Sequence, residues 1–181
     1  LNGLVQRYKV QETDDGLAGE EGTFTICSFW LVSALVEIGE LERARALCER
    51  LLSHASGLQR EPPGNVWETL KFPDEQELLA TLADAEQVLP PSTAWHYSNL
   101  AYALLGHVVS HVSGTPYHEY VREQLLEPVG LDRTTWGPGE GAALPYFVDP
   151  YSDAVQREPV LELGGKGGES GLYSTVGDLA R

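Results

Sequence analysis

The sequence predicts a mainly α chain with one or two short β-hairpins. Apolar residues recur at helical spacing in several segments, and helix-start and helix-stop residues flank those segments. The runs that favour strands are short and stand between turn residues. The chain has 181 residues, 42% of them apolar, with 19 Gly and 11 Pro. That length fits one domain or two small units joined by many turns.

Two helices are predicted after a polar, Gly-rich loop over residues 1–22. Thr23–Ile38 is almost entirely apolar, so we expect a helix that is buried on most sides, and Gly39 is a natural stop for it. In Glu40–His54, apolar residues fall at helical spacing while Glu and Arg face outward. Together the two segments predict a helical hairpin with a short turn.

Further elements are predicted along the remainder of the chain. Helices are expected over Asp74–Val88, Ser98–Ser113 and Pro116–Leu126, and Ser174–Asp178 opens a final helix. The strand candidates are Tyr146–Val148 and Val160–Leu163, which we expect to form a hairpin.

The net charge of −15 disfavours nucleic acid as a partner, because the chain and a phosphate backbone repel each other. The longest apolar run, Ile26–Ile38, is too short and too polar to span a bilayer. No cofactor or metal is indicated. A small-molecule substrate is expected only if a complete site exists, and exposed half-cores would favour self-association.

Cys27 and Cys48 are the only cysteines, and each lies in an apolar helical stretch. Two buried free thiols are the favoured interpretation, with a disulfide as the alternative. No secretory signal is visible, which favours the cytoplasm, but the chain lacks an initial Met and both ends look cut.

The second segment, residues 57–181, and the four residues before it carry several motifs. Residues 95–99 read Trp-His-Tyr-Ser-Asn, residues 53–58 read Ser-His-Ala-Ser-Gly-Leu, residues 127–131 read Glu-Pro-Val-Gly-Leu, and residues 168–181 begin Gly-Glu-Ser-Gly-Leu-Tyr-Ser-Thr. From about residue 53 onward this series resembles the class C β-lactamases, esterases and D-alanyl-D-alanine peptidases, a family of serine hydrolases. The resemblance implies the helical subdomain of that fold.

The resemblance also implies roles for two residues. In that family a Ser attacks a carbonyl carbon, and a Lys one helical turn after this Ser lies beside it. A nearby Tyr accepts the proton of the Ser and returns it. The matching residue is Tyr97, and Asn99 would point the same way and bind the substrate's amide. The structural alternative is a buried Tyr next to a helix start, with Ser98 or Asn99 as the cap.

The nucleophile of that family is not found in these 181 residues. The three lysines are Lys9, Lys71 and Lys166, and none has a Ser three residues before it. The third family motif, Lys-Thr-Gly or His-Thr-Gly, is also absent, and Lys166 is interpreted as a solvated loop residue. Because these groups act as a unit, we expect the chain to be catalytically incomplete.

The first segment, residues 1–56, has a different resemblance. The run Gly-Glu-Glu-Gly-Thr-Phe-Thr-Ile-Cys-Ser-Phe-Trp over residues 19–30 resembles the C-terminal part of family 15 glycoside hydrolases, which are glucoamylases, glucodextranases and related trehalases built as helix barrels. These enzymes invert the anomeric centre with two carboxyl groups. The resemblance makes Glu20 the candidate general base, with Glu21 as second choice. The structural alternative is that the two acids stand just before a helix because their negative charges interact favourably with its N-terminal dipole.

The two resemblances meet at residues 50–58, which predicts two partial hydrolases joined end to end. Three functions remain open. The first is an inactive hybrid of serine-hydrolase ancestry, and the second is a glycoside hydrolase remnant that binds sugar near Glu20, Trp30 and Tyr8. The third is an interaction piece that needs a partner chain. Helices 23–38 and 40–54 are expected to cover an apolar face of the second segment.

Overall fold

A computed structural model describes residues 25–163 and 167–181, with side chains from residue 31 onward. The described chain is mainly helical. The helices and the short strands are, in order, α1 (Thr25–Glu37), α2 (Leu41–Leu52), α3 (Val66–Thr69), α4 (Glu75–Thr81), α5 (Asn99–Ser113), α6 (Tyr117–Val121), β1 (Thr135–Trp136), β2 (Tyr146–Val148), β3 (Val155–Arg157), β4 (Leu172–Tyr173) and α7 (Val176–Leu179).

Helix α5 is the centre of the core. Its apolar residues are followed by Gly114 at φ +71°, the left-handed conformation that ends many helices. Both α1 and α2 pack against α5. One continuous apolar cluster therefore joins residues from both halves of the chain: Val32, Leu35, Ala44, Leu47, Leu51, Leu58, Leu78, Leu82, Leu100, Ala101, Ala103, Leu104 and Val108.

The helical hairpin predicted at the N-terminus is confirmed. Gly39 ends α1 with φ +79°, and α2 follows two residues later. Over residues 31–38 the expectation of burial on most sides is wrong, because Val32 and Leu35 are buried while Ala34 and Ile38 are exposed. In this described part, one face of the helix is buried and the other is exposed.

The predicted helix over Asp74–Val88 is shorter in the structure. Asp74 accepts from the Glu77 N–H and Glu77 accepts from the Asp74 N–H, a capping box that starts α4. The helix ends at Thr81 and a 3₁₀ turn follows. The chain cannot continue as a helix because Gln87 forms an isolated β-bridge with Leu58.

Two antiparallel strand pairs are present in the described chain. β1 pairs with β4, which joins residues far apart in sequence, and β2 pairs with β3 as a hairpin. The predicted strand Val160–Leu163 is wrong, since the partner of β2 is Val155–Arg157. The Asp149 carboxylate accepts the N–H groups of Tyr151 and Ser152 and so forms a turn directly after β2. The return strand therefore begins earlier in the sequence than predicted.

Two further predicted helices are confirmed near their expected bounds. α6 continues through a π-helical turn over Arg122–Leu126, and α7 begins after its cap, Thr175. Cys48 is a free thiol, but it is half-buried rather than buried as the favoured interpretation expected. Burial raises its pKa, with a smaller contribution from Glu49. The side chain of Cys27 lies outside the described part.

Candidate functional site

The Ser-His-Ala-Ser-Gly-Leu motif forms a tight backbone contact with residues 87–89. Gly57 has φ +73°, and its carbonyl accepts the N–H groups of Val88 at 2.9 Å and Leu89 at 3.2 Å. A Cβ at Gly57 would overlap the Leu89 carbonyl oxygen. Ser56 and Leu58 on either side are buried. Only glycine fits this contact, which holds residues 54–58 beside the loop that leads to Tyr97.

We call residues 54–61 and 95–102 the tyrosine region. Ser98 lies at its centre and is fully buried. Its Oγ accepts the Ala101 N–H at 3.0 Å and donates to the Gln59 carbonyl at 2.7 Å. Ser98 is therefore the N-cap of α5, as the structural alternative expected, and it also ties the helix start to the 54–61 segment.

Tyr97 lies at the surface of this region with 41% of its area exposed. Its ring centroid is 4.6 Å from that of His54. The Arg60 guanidinium carbon lies 5.4 Å from the Tyr97 ring centroid, within the range of a cation–π contact. The structure thus places a permanent positive charge beside the candidate tyrosine.

Asn99 contacts Glu61, the residue that follows Arg60. Its Nδ2 donates to Glu61 Oε1 at 2.7 Å, and its backbone N–H donates to the Arg60 carbonyl at 2.7 Å. Arg60 Nε and Glu61 Oε1 are 3.7 Å apart. Tyr97 and Asn99 therefore contact successive residues, Arg60 and Glu61, which brings the two candidate residues to one surface.

Sequence reasoning did not single out His54, Arg60 or Glu61 as site residues. The contacts between Glu61 and Asn99 and between His54 and Ser98 join positions 38 and 44 residues apart. Local periodicity carries no signal at such separations. The only sequence signal was His54, which lies inside the motif at residues 53–58.

A second set of family motifs meets at Asp178. We call residues 130–134 and 174–181 the aspartate joint. The buried Asp178 carboxylate accepts the Arg133 N–H at 3.0 Å and the Thr134 hydroxyl at 2.8 Å. The Arg181 guanidinium donates to the Gly130 carbonyl at 2.6 Å. The joint thus connects the Glu-Pro-Val-Gly-Leu segment to α7.

The Gly-rich turn after residue 166 packs directly on α5. A Cβ at Gly168 would overlap the Tyr102 carbonyl oxygen, and a Cβ at Gly106 would lie 3.0 Å from the Gly168 Cα. Gly106 and Gly168 therefore allow two backbones to approach closely. Lys166, interpreted from sequence as a loop lysine, lies outside the described residues.

A cavity of about 380 Å³ opens between α5 and α6. It is lined by the imidazoles of His107, His111 and His118, and His107 Nδ1 is 2.8 Å from Glu75 Oε1. None of its lining residues belongs to the tyrosine region. The cavity is therefore separate from the surface that carries Tyr97 and Asn99.

Among the described side chains of residues 31–163 and 167–181, no group of three or more His, Cys, Asp or Glu residues is arranged to hold a metal ion. None of the helices described there is long and apolar enough to cross a bilayer. The glycosidase candidates Glu20 and Glu21 lie outside the described residues, as do Tyr8 and the Trp30 side chain.

The sequence profile of the β-lactamase family matches residues 38–181. The chain belongs to the β-lactamase family. A D-alanyl-D-alanine-carboxypeptidase/endopeptidase, AmpH of Escherichia coli K12, is 31% identical over 133 residues, which are 72% of this chain and 34% of that protein. This confirms the serine-hydrolase resemblance of the second segment.

The fold comparison agrees with the family. The octameric penicillin-binding protein homologue from Pyrococcus abyssi superposes with a TM-score of 0.62 at 28% identity, and covers 73% of this chain and 32% of that one. Much of its polypeptide therefore has no counterpart here.

A different kind of relative accounts for a short stretch. A trehalase of Mycolicibacterium smegmatis is 82% identical over 57 residues, which are 32% of this chain and 8% of that enzyme. This agrees with the glycoside hydrolase resemblance of the first segment. The chain spans about a third or less of each of these relatives.

Proposed function

We propose that this chain provides the Tyr97–Asn99 part of a serine acyl-transfer site and does not complete the reaction by itself. The observation that carries the proposal is the joint placement of Tyr97 and Asn99 against Arg60 and Glu61. A tyrosine beside a cation is suited to proton transfer, and an amide two residues later is suited to hold a substrate carbonyl or N–H.

The substrate class follows from the relatives. We infer a β-lactam, a D-alanyl peptide or an ester, each of which presents a carbonyl carbon to a nucleophile. Arg60 does not replace a lysine base, because a guanidinium stays protonated in proteins.

The missing step is nucleophilic attack. No Ser-x-x-Lys sequence occurs in the 181 residues, and Ser98 is buried with its hydroxyl committed to the α5 cap. A serine whose Oγ already donates to a backbone carbonyl is a poor nucleophile. We therefore expect no acyl-enzyme to form on this chain.

The test is hydrolysis of nitrocefin and of p-nitrophenyl acetate by the purified chain and by Tyr97→Phe. We expect both proteins to give the buffer rate, and intact-mass measurement to show no adduct after incubation with penicillin. Turnover that Tyr97→Phe abolishes would overturn the claim of inactivity, and an adduct on any serine would reveal a nucleophile that the proposal lacks.

A glycoside hydrolase remnant is the second candidate, and the 82% identical trehalase stretch is the observation in its favour. Glu20 is the proposed general base, with Glu21 as second choice, in the inverting chemistry of family 15. That chemistry needs a second carboxyl group as acid. We therefore expect no hydrolysis of trehalose or maltose, and activity lost in Glu20→Gln but kept in Tyr97→Phe would establish this function instead.

The third candidate is a chain that needs a partner to complete its site. Trp95 of the tyrosine region, 68% exposed, and Leu52 beside that region, 52% exposed, present apolar surface to solvent. The related penicillin-binding protein homologue from Pyrococcus abyssi is described as octameric. We propose self-association through this surface, which light scattering would test. A chain that stays monomeric at about 100 micromolar, roughly 100,000 times a dissociation constant of about 1 nanomolar, would contradict it.

A further inference from the structure

His54 makes backbone contacts on both sides of Tyr97. Its carbonyl accepts the His96 N–H at 2.8 Å, and its Nδ1 accepts the Ser98 N–H at 3.1 Å. The residues immediately before and after Tyr97 are thus both bonded to one residue that lies more than 40 positions earlier in the chain. This arrangement fixes the backbone from which the Tyr97 side chain leaves.

The imidazole of His54 also contacts the tyrosine directly. Its ring centroid is 4.6 Å from that of Tyr97 and 4.9 Å from that of Tyr102. Tyr102 is itself fixed, because its hydroxyl donates to the Leu52 carbonyl at 2.8 Å. His54 therefore lies between the exposed tyrosine and a ring anchored on α5, and it limits the positions that Tyr97 can adopt.

The backbone of His54 is strained. Its φ of +54° is in the left-handed region, at the end of α2, where glycine is the usual residue. A non-glycine residue in this conformation is strained, because its Cβ lies too close to the backbone. Glycine would remove that strain, but it has no ring nitrogen to accept the Ser98 N–H. Strain retained at one residue points to a role for its side chain.

We propose that His54 is the positioning residue for Tyr97. It acts through the Ser98 N–H bond and the ring contact, and it does not itself touch substrate. The inference rests on the proposed function of Tyr97. The bond requires Nδ1 to be unprotonated, so the ring carries its proton on Nε2. Burial lowers the pKa of His54, which keeps the ring in this neutral form near pH 7.

Two substitutions separate the side chain from the backbone strain. His54→Asn keeps an acceptor oxygen close to the place of Nδ1, and Asn tolerates the left-handed conformation. His54→Gly relieves the strain but removes the acceptor. Leu70→Gly is the matched control, because Leu70 has φ +53° and lies outside the tyrosine region.

The experiment measures hydrogen exchange of the Ser98 amide and the ¹³Cζ resonance of Tyr97, assigned with Tyr97→Phe, in the full chain. In His54→Gly we expect the Ser98 amide to exchange about 10-fold faster, the equivalent of one lost hydrogen bond, and the Tyr97 resonance to move. In His54→Asn the Ser98 amide should exchange near the wild-type rate because an acceptor is kept, while the Tyr97 resonance should move because the ring contact is lost. Leu70→Gly should change neither.

An unchanged Ser98 amide and Tyr97 resonance in folded His54→Gly would overturn the positioning role. Equally fast exchange of the Ser98 amide in His54→Asn and His54→Gly would also overturn it, because the acceptor would then be irrelevant. Both readouts are independent of turnover. If Tyr97 has no part in acyl transfer, the exchange pattern still stands, so failure of the proposed function and failure of this inference are distinguishable.

Discussion

The tyrosine region and the aspartate joint both bring distant family motifs together, but they are held in different ways. In the tyrosine region, the segment behind the candidate residues is continuous with the apolar core through Leu58, Leu100 and Ala101, all nearly inaccessible to solvent. At the aspartate joint, one buried carboxylate carries most of the contacts, and Val176 and Leu179 beside it are exposed.

The difference shows which part of the chain can keep a fixed geometry. A core residue contacts many neighbours, so several contacts must fail together before its region moves. The joint depends on a few hydrogen bonds, each worth about 1–3 kcal/mol to a charged group. We expect the tyrosine region to remain ordered under conditions in which the joint opens.

The largest predicted effect is that of Leu100→Ala, which would break the core behind Tyr97. Leu100 is fully buried next to the α5 cap, so we expect unfolding to become easier by about 2–5 kcal/mol, measured by urea denaturation. The control is Leu125→Ala, since Leu125 is exposed and should change stability by about 0.5 kcal/mol or less. Equal losses in the two variants would contradict the role of the core.

The next effect tests the glycine contact. Gly57→Ala adds both left-handed strain and an overlap with the Leu89 carbonyl, so we expect a loss of about 2–4 kcal/mol. Gly39→Ala is the matched control, because Gly39 has a similar φ of +79° but open space around its Cα. Gly39→Ala should add only the strain, which lowers the free energy of unfolding by about 1–2 kcal/mol. Thermal unfolding of both variants would show whether the overlap exists.

A smaller effect is expected at the aspartate joint. Asp178→Ala removes the acceptor for the Arg133 N–H and the Thr134 hydroxyl, and should cost about 1.5–3 kcal/mol. Exposed Asp132 provides the control substitution, Asp132→Ala. We also expect Asp178→Ala to speed amide exchange in residues 130–134 without affecting Ser98. Faster exchange at Ser98 as well would show that the two regions are one cooperative unit.

The smallest predicted effect is a loss of stability at acidic pH that depends on His54. Burial lowers the pKa of His54 below its usual value of 6.5, so the unfolded chain takes up this proton before the folded chain does. The contribution of His54 to the free energy of unfolding is therefore fully present above about pH 6.5. It is lost as the pH falls toward the lower folded-state pKa. Urea titrations at pH 5 and pH 7.5, about one unit or more either side of the usual value, should show a larger acid loss in wild type than in His54→Asn.

Much of the secondary structure could be predicted from the sequence, because local features specify it. The apolar spacing of Glu40–His54, the cap at Ser98 and the stop at Gly114 each act over one or two turns. The strand Val160–Leu163 was predicted wrongly because apolar composition alone does not show where a turn closes. The length of the 74–88 helix was overestimated because pairing with Leu58 competes with the helix.

The sequence by itself determined the family motifs, their order and the absence of Ser-x-x-Lys, since these are properties of the residues and their spacing. Only the tertiary structure decided that Tyr97 lies beside Arg60, that Glu61 holds Asn99, and that His54 contacts both sides of the tyrosine. These contacts join segments about 40 residues apart. They form because α5 buries its apolar face against α1 and α2, and that packing brings the two segments together.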